Sequence, residues 1–507
     1  MNATFLPRFV RSCETVPDRP AFAFGERAYS YREFAGLVQA IRERLAASVP
    51  ETERCIAVFA TQDVWTYASI VAILATGRAY VPLNPTAPSE RNRKCIDQAR
   101  IRTLLCSTLA PAVETWRAEL GEALRVEETS FLAPRERLAP IEAVSADAVA
   151  YLLFTSGSTG QPKGVPIHHR NLDAFLDAFI DRSDFGFTSA DRFLQMFDLT
   201  FDLSVMSFAV PLCVGAACHP VPDGGPGFIG VAKTLERGAV TVALTVPSVL
   251  SFLERYFDEI RLPALRLSLF CGEALPVRLA RAWKSCVPNA RILNVYGPTE
   301  ATIFCSAYEL SPEPVESEGY NGVVSIGVPM PHTAFRVVHE NLAEVVAGEK
   351  GELILMGDQV TDRYWDDPAK SAAAFVTLPD GAHGYRSGDV VFERDGAYYY
   401  CGRTDHQLKV DGYRVEAGEV EHHARAFDGV RDAALVGRVE SNGRTMLHLF
   451  ALTTGVAGPT FAKEYRSFLA QRLPAYMVPG RIHSLTVFPL NQNGKVDRKA
   501  LIAGVEP

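Results

Sequence analysis

The sequence predicts an α/β fold through about residue 310, a hairpin-rich β region after it, and a smaller α+β segment beyond about residue 405. Three observations lead there. Short apolar runs alternate with amphipathic helical stripes up to Leu310, as in parallel sheets covered by helices. Beyond Leu310 the apolar runs are separated by Gly, Asp and Asn turn signals, among them Asp395-Gly396. After Gly402 the elements become short and mixed, with a Gly458-Pro459 break.

The first stripe places Phe34, Leu37, Val38, Ile41 and Leu45 at helical spacing from Tyr31 onward. Strand-like runs follow at 55–60, 79–83, 148–154, 240–245 and 267–270, then at 334–338, 351–356 and 397–401. A helix over 416–425 and a strand over 430–436 complete the pattern. The uncharged stretch 203–222 contains Pro211, Gly215, Pro220 and Pro222, so it reads as a buried helix followed by a buried strand rather than a membrane span.

The chain is 48% hydrophobic and 22% charged, which excludes a disordered or fibrous protein and provides core for about three domain-sized units. A net charge of -8 disfavours nucleic acid as a partner. The ten cysteines form no CxxC pair or zinc spacing and read as reduced core thiols. With no cationic-apolar leader at the N-terminus, a cytoplasmic location and no membrane insertion are expected.

The most informative stretch is 152–165. Within it Thr155, Ser156, Gly157, Ser158, Thr159, Gly160 and Lys163 pack four hydroxyls, two glycines and a cation into nine residues after a strand. Small residues let backbone N–H groups approach an anion, hydroxyls add donors and lysine adds charge, which is chemistry for a polyphosphate. The loop is not GxxxxGK[ST], since Lys163 follows Pro162 and no Ser or Thr comes after it.

This loop resembles the signature of the adenylate-forming enzymes: acyl-CoA synthetases, luciferases and the adenylation domains of nonribosomal peptide synthetases. Further matches occur in order at 79–84 (Ala-Tyr-Val-Pro-Leu-Asn), 294–300 (Asn-Val-Tyr-Gly-Pro-Thr-Glu), 385–389 (Tyr-Arg-Ser-Gly-Asp), 402–409 (Gly-Arg-Thr-Asp-His-Gln-Leu-Lys) and 493–498 (Asn-Gly-Lys-Val-Asp-Arg). The resemblance implies a large N-terminal domain, 1–404, of two layered α/β subdomains plus a β-barrel-like subdomain. A small mobile α+β domain, 405–507, would pivot at Asp405.

By the same resemblance, a carboxylate attacks the α-phosphate of ATP, and cations and oriented dipoles shield the two anions. The loop from Thr155 to Lys163 would hold the β- and γ-phosphates. Thr299 and Glu300 would meet the α-phosphate and Mg²⁺, although both also suit a helix start. Tyr296 would stack on adenine, bordered by Asn294, Gly297 and the backbone of Gly272, Glu273 and Ala274. Asp389 would hold the ribose, where a plain Ser-Gly-Asp turn is the alternative, and Arg403 would add a ribose or phosphate contact. Lys495 would bridge the carboxylate and the α-phosphate; alone it would be a solvated turn lysine. Gly412 would flank the incoming pantetheine, beside Asp411, where many relatives carry a basic or polar residue. His168 and His169 read as structural or site-lining, because an ionised carboxylate needs no general base.

Asp202 falls where amino-acid adenylation domains carry the carboxylate for the α-ammonium, and a helix N-cap is its alternative. The pocket would be lined by Leu203, Met206, Thr245, Leu269, Cys271, Val295, Ile303 and Phe304. None of these is charged, so a small apolar amino acid fits. The set resembles the D-alanine–carrier protein ligases, with proline-activating enzymes next, acyl- or aryl-CoA ligases less favoured and a nucleotide-sensing pseudoenzyme last. Cys271 is equally readable as a small core hydrophobe. Since the sequence stops at Pro507, a separate phosphopantetheinylated carrier protein acting in trans is expected.

Overall fold

The computed structural model describes residues 4–157, 162–181, 184–222, 228–405, 407–440, 443–453, 460–490 and 496–505. The chain divides into two compact units. One comprises residues 1–85, 96–153 and 164–404; the other comprises 86–95, 154–163 and 405–507.

The first unit is built on three larger sheets among the described residues, beside a two-stranded ribbon of Gly319–Tyr320 and Val323–Val324. A six-stranded sheet runs in the order Arg125–Glu128, Thr103–Cys106, Cys55–Phe59, Ala79–Leu83, Val149–Thr155 and Lys163–His168. A nine-stranded sheet has a parallel centre formed by Val242–Thr245, Leu267–Phe270 and Arg291–Tyr296. An antiparallel sheet follows, formed by Thr333–Val338, Gly351–Gly357, Phe375–Thr377, His383–Arg394 and Ala397–Arg403.

Helix Tyr31–Ser48 starts in a capping box, with Ser30 Oγ accepting from Glu33 N–H and Glu33 Oε2 accepting from Ser30 N–H. Its stripe of Phe34, Leu37, Val38, Ile41 and Leu45 is buried, as the helical spacing requires. The uncharged stretch becomes helix Leu203–Val214 and strand Ala217–Pro220. Pro211 supplies no N–H for the Ser207 carbonyl, and the Cys218 thiol donates to it instead. None of the ten cysteines is in a disulfide. Among the described residues, no helix is long and apolar enough to cross a membrane.

The second unit has a three-stranded sheet of Val430–Val439, Thr445–Thr453 and Arg481–Leu485, covered by helices Ala417–Arg425 and Phe461–Ala470. The hairpin Gln407–Val410 and Tyr413–Glu416 turns at Asp411 and Gly412, both at positive φ. Arg444 grips both carboxylate oxygens of Asp411, at 2.8 and 2.6 Å, so that acidic side chain holds the turn.

Candidate functional site

In the first unit the strands Val242–Thr245, Leu267–Phe270 and Arg291–Tyr296 end at one edge, the carboxyl edge where open α/β sheets bind ligands. Thr245 closes the first strand, and its carbonyl accepts from Cys271 N–H at 3.0 Å. Val295 and Tyr296 close the third. The sequence therefore brings Thr245, Leu269, Cys271 and Val295 to one end of one sheet, and all four are buried.

The loop after Tyr296 is tight. Cys305 N–H donates to the Tyr296 carbonyl at 2.8 Å and the chain returns as strand Ser306–Glu309. A Cβ at position 297 would lie 2.5 Å from Phe304 Cα, so the return requires Gly297. Thr299–Ala301 forms one 3₁₀ turn, after which Thr302 and Ile303 adopt φ of 55° and 75°. Two consecutive β-branched residues in the left-handed region store about 1 to 3 kcal/mol each and need external support. Ile303 and Phe304 are fully buried, and the Phe304 ring meets Phe175 and Phe179 edge-on at 4.9 and 5.3 Å.

Glu300 is fully buried; its Oε1 accepts from the Tyr364 hydroxyl at 2.7 Å, and its carbonyl accepts from Thr361 N–H. Asp389 is 4% exposed and doubly engaged. Arg403 donates to Oδ1 and the Tyr296 hydroxyl to Oδ2, each at 2.5 Å. Burial, reinforced by the Asp389 charge, holds the Tyr296 phenol well above its ordinary pKa, so it is a permanent donor. Asn294 spends its amide on the Ser325 carbonyl at 2.8 Å. Gly272 has φ 89°, and Glu273 accepts from Ser248 N–H, capping helix Pro247–Leu253. Ala274 lies in the same turn, directly before buried Leu275.

Asp202 is 3% exposed and occupies the N-cap position of helix Leu203–Val214, yet its side chain makes no cap hydrogen bond. Its charge adds to burial in raising the Tyr80 and Tyr151 phenols, which keeps both neutral beside it. Leu203 and Met206 sit on the first two turns of that helix, buried. His169 opens helix His169–Ile180, and burial first, with neighbouring His168 second, pushes it down to about 4.

In the second unit the described part of the phosphate loop faces carboxylates. Gly157 N–H donates to Glu419 Oε2 at 3.1 Å, and Lys163 Nζ stands 3.7 Å from Glu416 Oε1. Ser156 Oγ donates to the Arg414 carbonyl at 2.8 Å, and Arg91 pairs with Glu419. The Thr155 hydroxyl has no hydrogen bond among the described residues. An N–H and an ammonium that each face an acid side chain are an anion-directed set. Asp405 accepts from Gln407 N–H at 3.1 Å, and Gly412 occupies the hairpin turn. Ser158, Thr159, Gly160 and Lys495 lie outside the described residues.

Sequence reasoning missed Tyr364, Gln359, Glu416 and Glu419. None belongs to a periodic or glycine-rich pattern, and the partners of Tyr364, Gln359 and Glu419 lie far away in the chain, while Glu416 also takes nearby Gln407, so only the Arg-Tyr-Trp and Val-Glu signals nearby could have drawn attention to them.

Comparison with known proteins returns the family of AMP-binding enzymes over residues 9–365. The chain is 34% identical over 504 residues to the probable non-canonical nonribosomal peptide synthetase CymA of Salinispora arenicola, covering 97% of this chain and 6% of that protein's length. It is 30% identical over 503 residues to the D-alanine--D-alanyl carrier protein ligase of Bacillus cereus, covering 97% of each. Among solved structures it matches the Vibrio cholerae adenylation domain AlmE in complex with glycyl-adenosine-5'-phosphate. That match has a TM-score of 0.83 and 25% identity, over 99% of this chain and 97% of that one.

Proposed function

Because the chain belongs to the family of AMP-binding enzymes, we propose that it activates a small apolar amino acid, D-alanine or one of similar size, for a separate carrier protein. A carboxylate oxygen of the amino acid attacks the α-phosphorus of ATP, the α–β bridging bond breaks, and pyrophosphate leaves with its electron pair. The carrier's phosphopantetheine thiol then attacks the acyl carbon, and AMP departs as the thioester forms.

The observation that supports this reading most is the burial of the Asp202 carboxylate at the start of helix Leu203–Val214. A buried carboxylate calls for a cation, and an α-ammonium supplies one. Leu203, Met206, Thr245, Leu269, Cys271, Val295, Ile303 and Phe304 add no second charge, which favours an apolar side chain. D-Ala, Gly and Ser differ by so little that the pocket separates them by only about 1 to 3 kcal/mol.

Asp389 retains free lone pairs for the ribose hydroxyls while Arg403 and Tyr296 fix its orientation. Gly157 N–H and Lys163 would exchange their acidic partners for phosphate oxygens, with Thr155, Ser156, Ser158, Thr159 and Gly160 completing the loop. Tyr296, Asn294, Gly297 and the Gly272–Glu273–Ala274 turn would border adenine. Glu300, a single hard oxygen donor held by Tyr364, fits Mg²⁺, which takes one or two carboxylates and substrate phosphates. Bound there beside Thr299, the ion supplies charge neutralisation at the phosphates. Lys495 would bridge the two reactants, delivered by rotation at Asp405, and Gly412 would flank the pantetheine afterwards.

Pyrophosphate exchange across D-Ala, L-Ala, Gly, Ser and L-Pro tests the proposal. Exchange with one of these, and thioester formation on a phosphopantetheinylated carrier but not on free CoA, is the expected outcome. Exchange supported instead by a fatty or aryl acid would contradict it.

A further inference from the structure

The left-handed pair Thr302–Ile303 persists because something outside the loop holds it. Gln359, fully buried in the turn after strand Gly351–Gly357, converges on that pair. Its Nε2 donates to the Phe304 carbonyl at 2.9 Å and lies 3.4 and 3.5 Å from the Thr302 and Ala301 carbonyls. In return, Thr302 Oγ1 donates to the Gln359 carbonyl at 2.5 Å. The other end of the same amide, Oε1, is buried and accepts no hydrogen bond among the described residues. Leaving an acceptor unmade is costly, so the side chain is kept for its NH₂ group and not for shape.

The turn that carries Gln359 is itself fixed. Asn171 donates to the Asp358 carbonyl at 2.7 Å and to the Val360 carbonyl at 3.2 Å. Thr361 Oγ1 donates to the Pro166 carbonyl at 2.6 Å, and Thr361 N–H holds the Glu300 carbonyl. Gln359 therefore transmits a rigid reference point into a strained loop.

We propose that Gln359 is a specificity-determining positioning residue, whose side-chain amide donates into the Thr302–Ile303 kink and thereby sets where Ile303 and Phe304 stand as the wall of the amino-acid pocket. This rests on the pocket reading given above. Without the amide donors the kink relaxes toward ordinary dihedrals, and the wall moves with it.

The test uses the full chain carrying Gln359→Glu and Gln359→Leu, assayed by pyrophosphate exchange with the preferred amino acid and its homologues one carbon larger and smaller. Glutamate keeps the shape and removes the donors. The expected result for Gln359→Glu is a rise in KM for the amino acid and a collapse in size discrimination, each about tenfold or more, with KM for ATP within about twofold of the wild type. Gln359→Leu should move both in the same direction by less, since it adds no charge. A Gln359→Glu protein that discriminates as the wild type does, or that loses only kcat, overturns the inference. Should both variants fail to melt cooperatively, Thr302→Ala removes the reciprocal hydroxyl bond and carries the test. Reduced size discrimination supports the inference, and unchanged discrimination overturns it. Met206→Ala is the control for the pocket: a shifted preference there with none in Gln359→Glu defeats the inference alone, and no shift in either defeats the pocket reading together with it.

Discussion

The wall around Asp389 and the wall around Ile303 belong to the same unit but are held by opposite means. Asp389 sits on strand His383–Arg394 between two register shifts, its register partner is Arg403 itself, and an ion pair and a phenol fix it there. Ile303 sits on backbone that its own residue type disfavours and depends on a side chain 56 positions away. Features required for any nucleotide chemistry can be built into a sheet. On the pocket reading proposed above, the residues that would distinguish one small substrate from another stand on a strained loop, where a few hydrogen bonds set the geometry.

If that contrast holds, the largest stability effect belongs to the ion-paired wall. Asp389→Ala leaves the Arg403 guanidinium buried and uncompensated and should cost about 3 to 5 kcal/mol, read by chemical denaturation. A loss under about 1 kcal/mol would show that the pair braces nothing.

Acid should loosen the strained wall. His169 begins the helix that carries Asn171, Phe175 and Phe179, which support the Gln359 turn and the Phe304 ring. Its folded pKa is pushed down to about 4 from an ordinary 6.5, so the imidazole is neutral in the fold. Above pH 6.5 the stability is full. As pH falls from 6.5 through 4, the unfolded chain takes up a proton that the folded chain refuses, and stability on the order of 3 kcal/mol is lost. Unfolding free energies across that window should fall less steeply in His169→Phe than in the wild type. Identical slopes would show that His169 protonation does not set stability in this window.

The smallest effect separates Glu300 from both walls. Tyr364→Phe removes one hydrogen bond to its carboxylate and should cost about 1.5 kcal/mol with unchanged amino-acid preference. A changed preference would mean that the two parts of the loop move together.

Much of the fold is legible in the sequence. The strands at 79–83 and 267–270 have the bounds that their apolar runs predict, and the helical stripe from Phe34 to Leu45 is buried throughout. Burial periodicity is local, so a sequence displays it. The candidate phosphate loop stands out in the sequence because small residues and charges cluster from Thr155 to Lys163. The supports do not: Gln359, Tyr364 and Glu419 reach partners 55, 64 and 262 positions away, and no local pattern encodes such a pairing. The left-handed Thr302 and Ile303 were hidden for the converse reason, since β-branched residues signal extended backbone.

On the function proposed above, the buried Asp202 carboxylate selects an α-ammonium. The most direct measurement is amino-acid-dependent pyrophosphate exchange by the wild type and Asp202→Asn, each with the preferred amino acid and its des-amino analogue. Asp202→Asn should lower kcat/KM for the amino acid by a factor of about a hundred to a few thousand and narrow its advantage over the analogue. A wild-type enzyme that prefers the des-amino acid, or an Asp202→Asn enzyme that handles the amino acid undiminished, would contradict it.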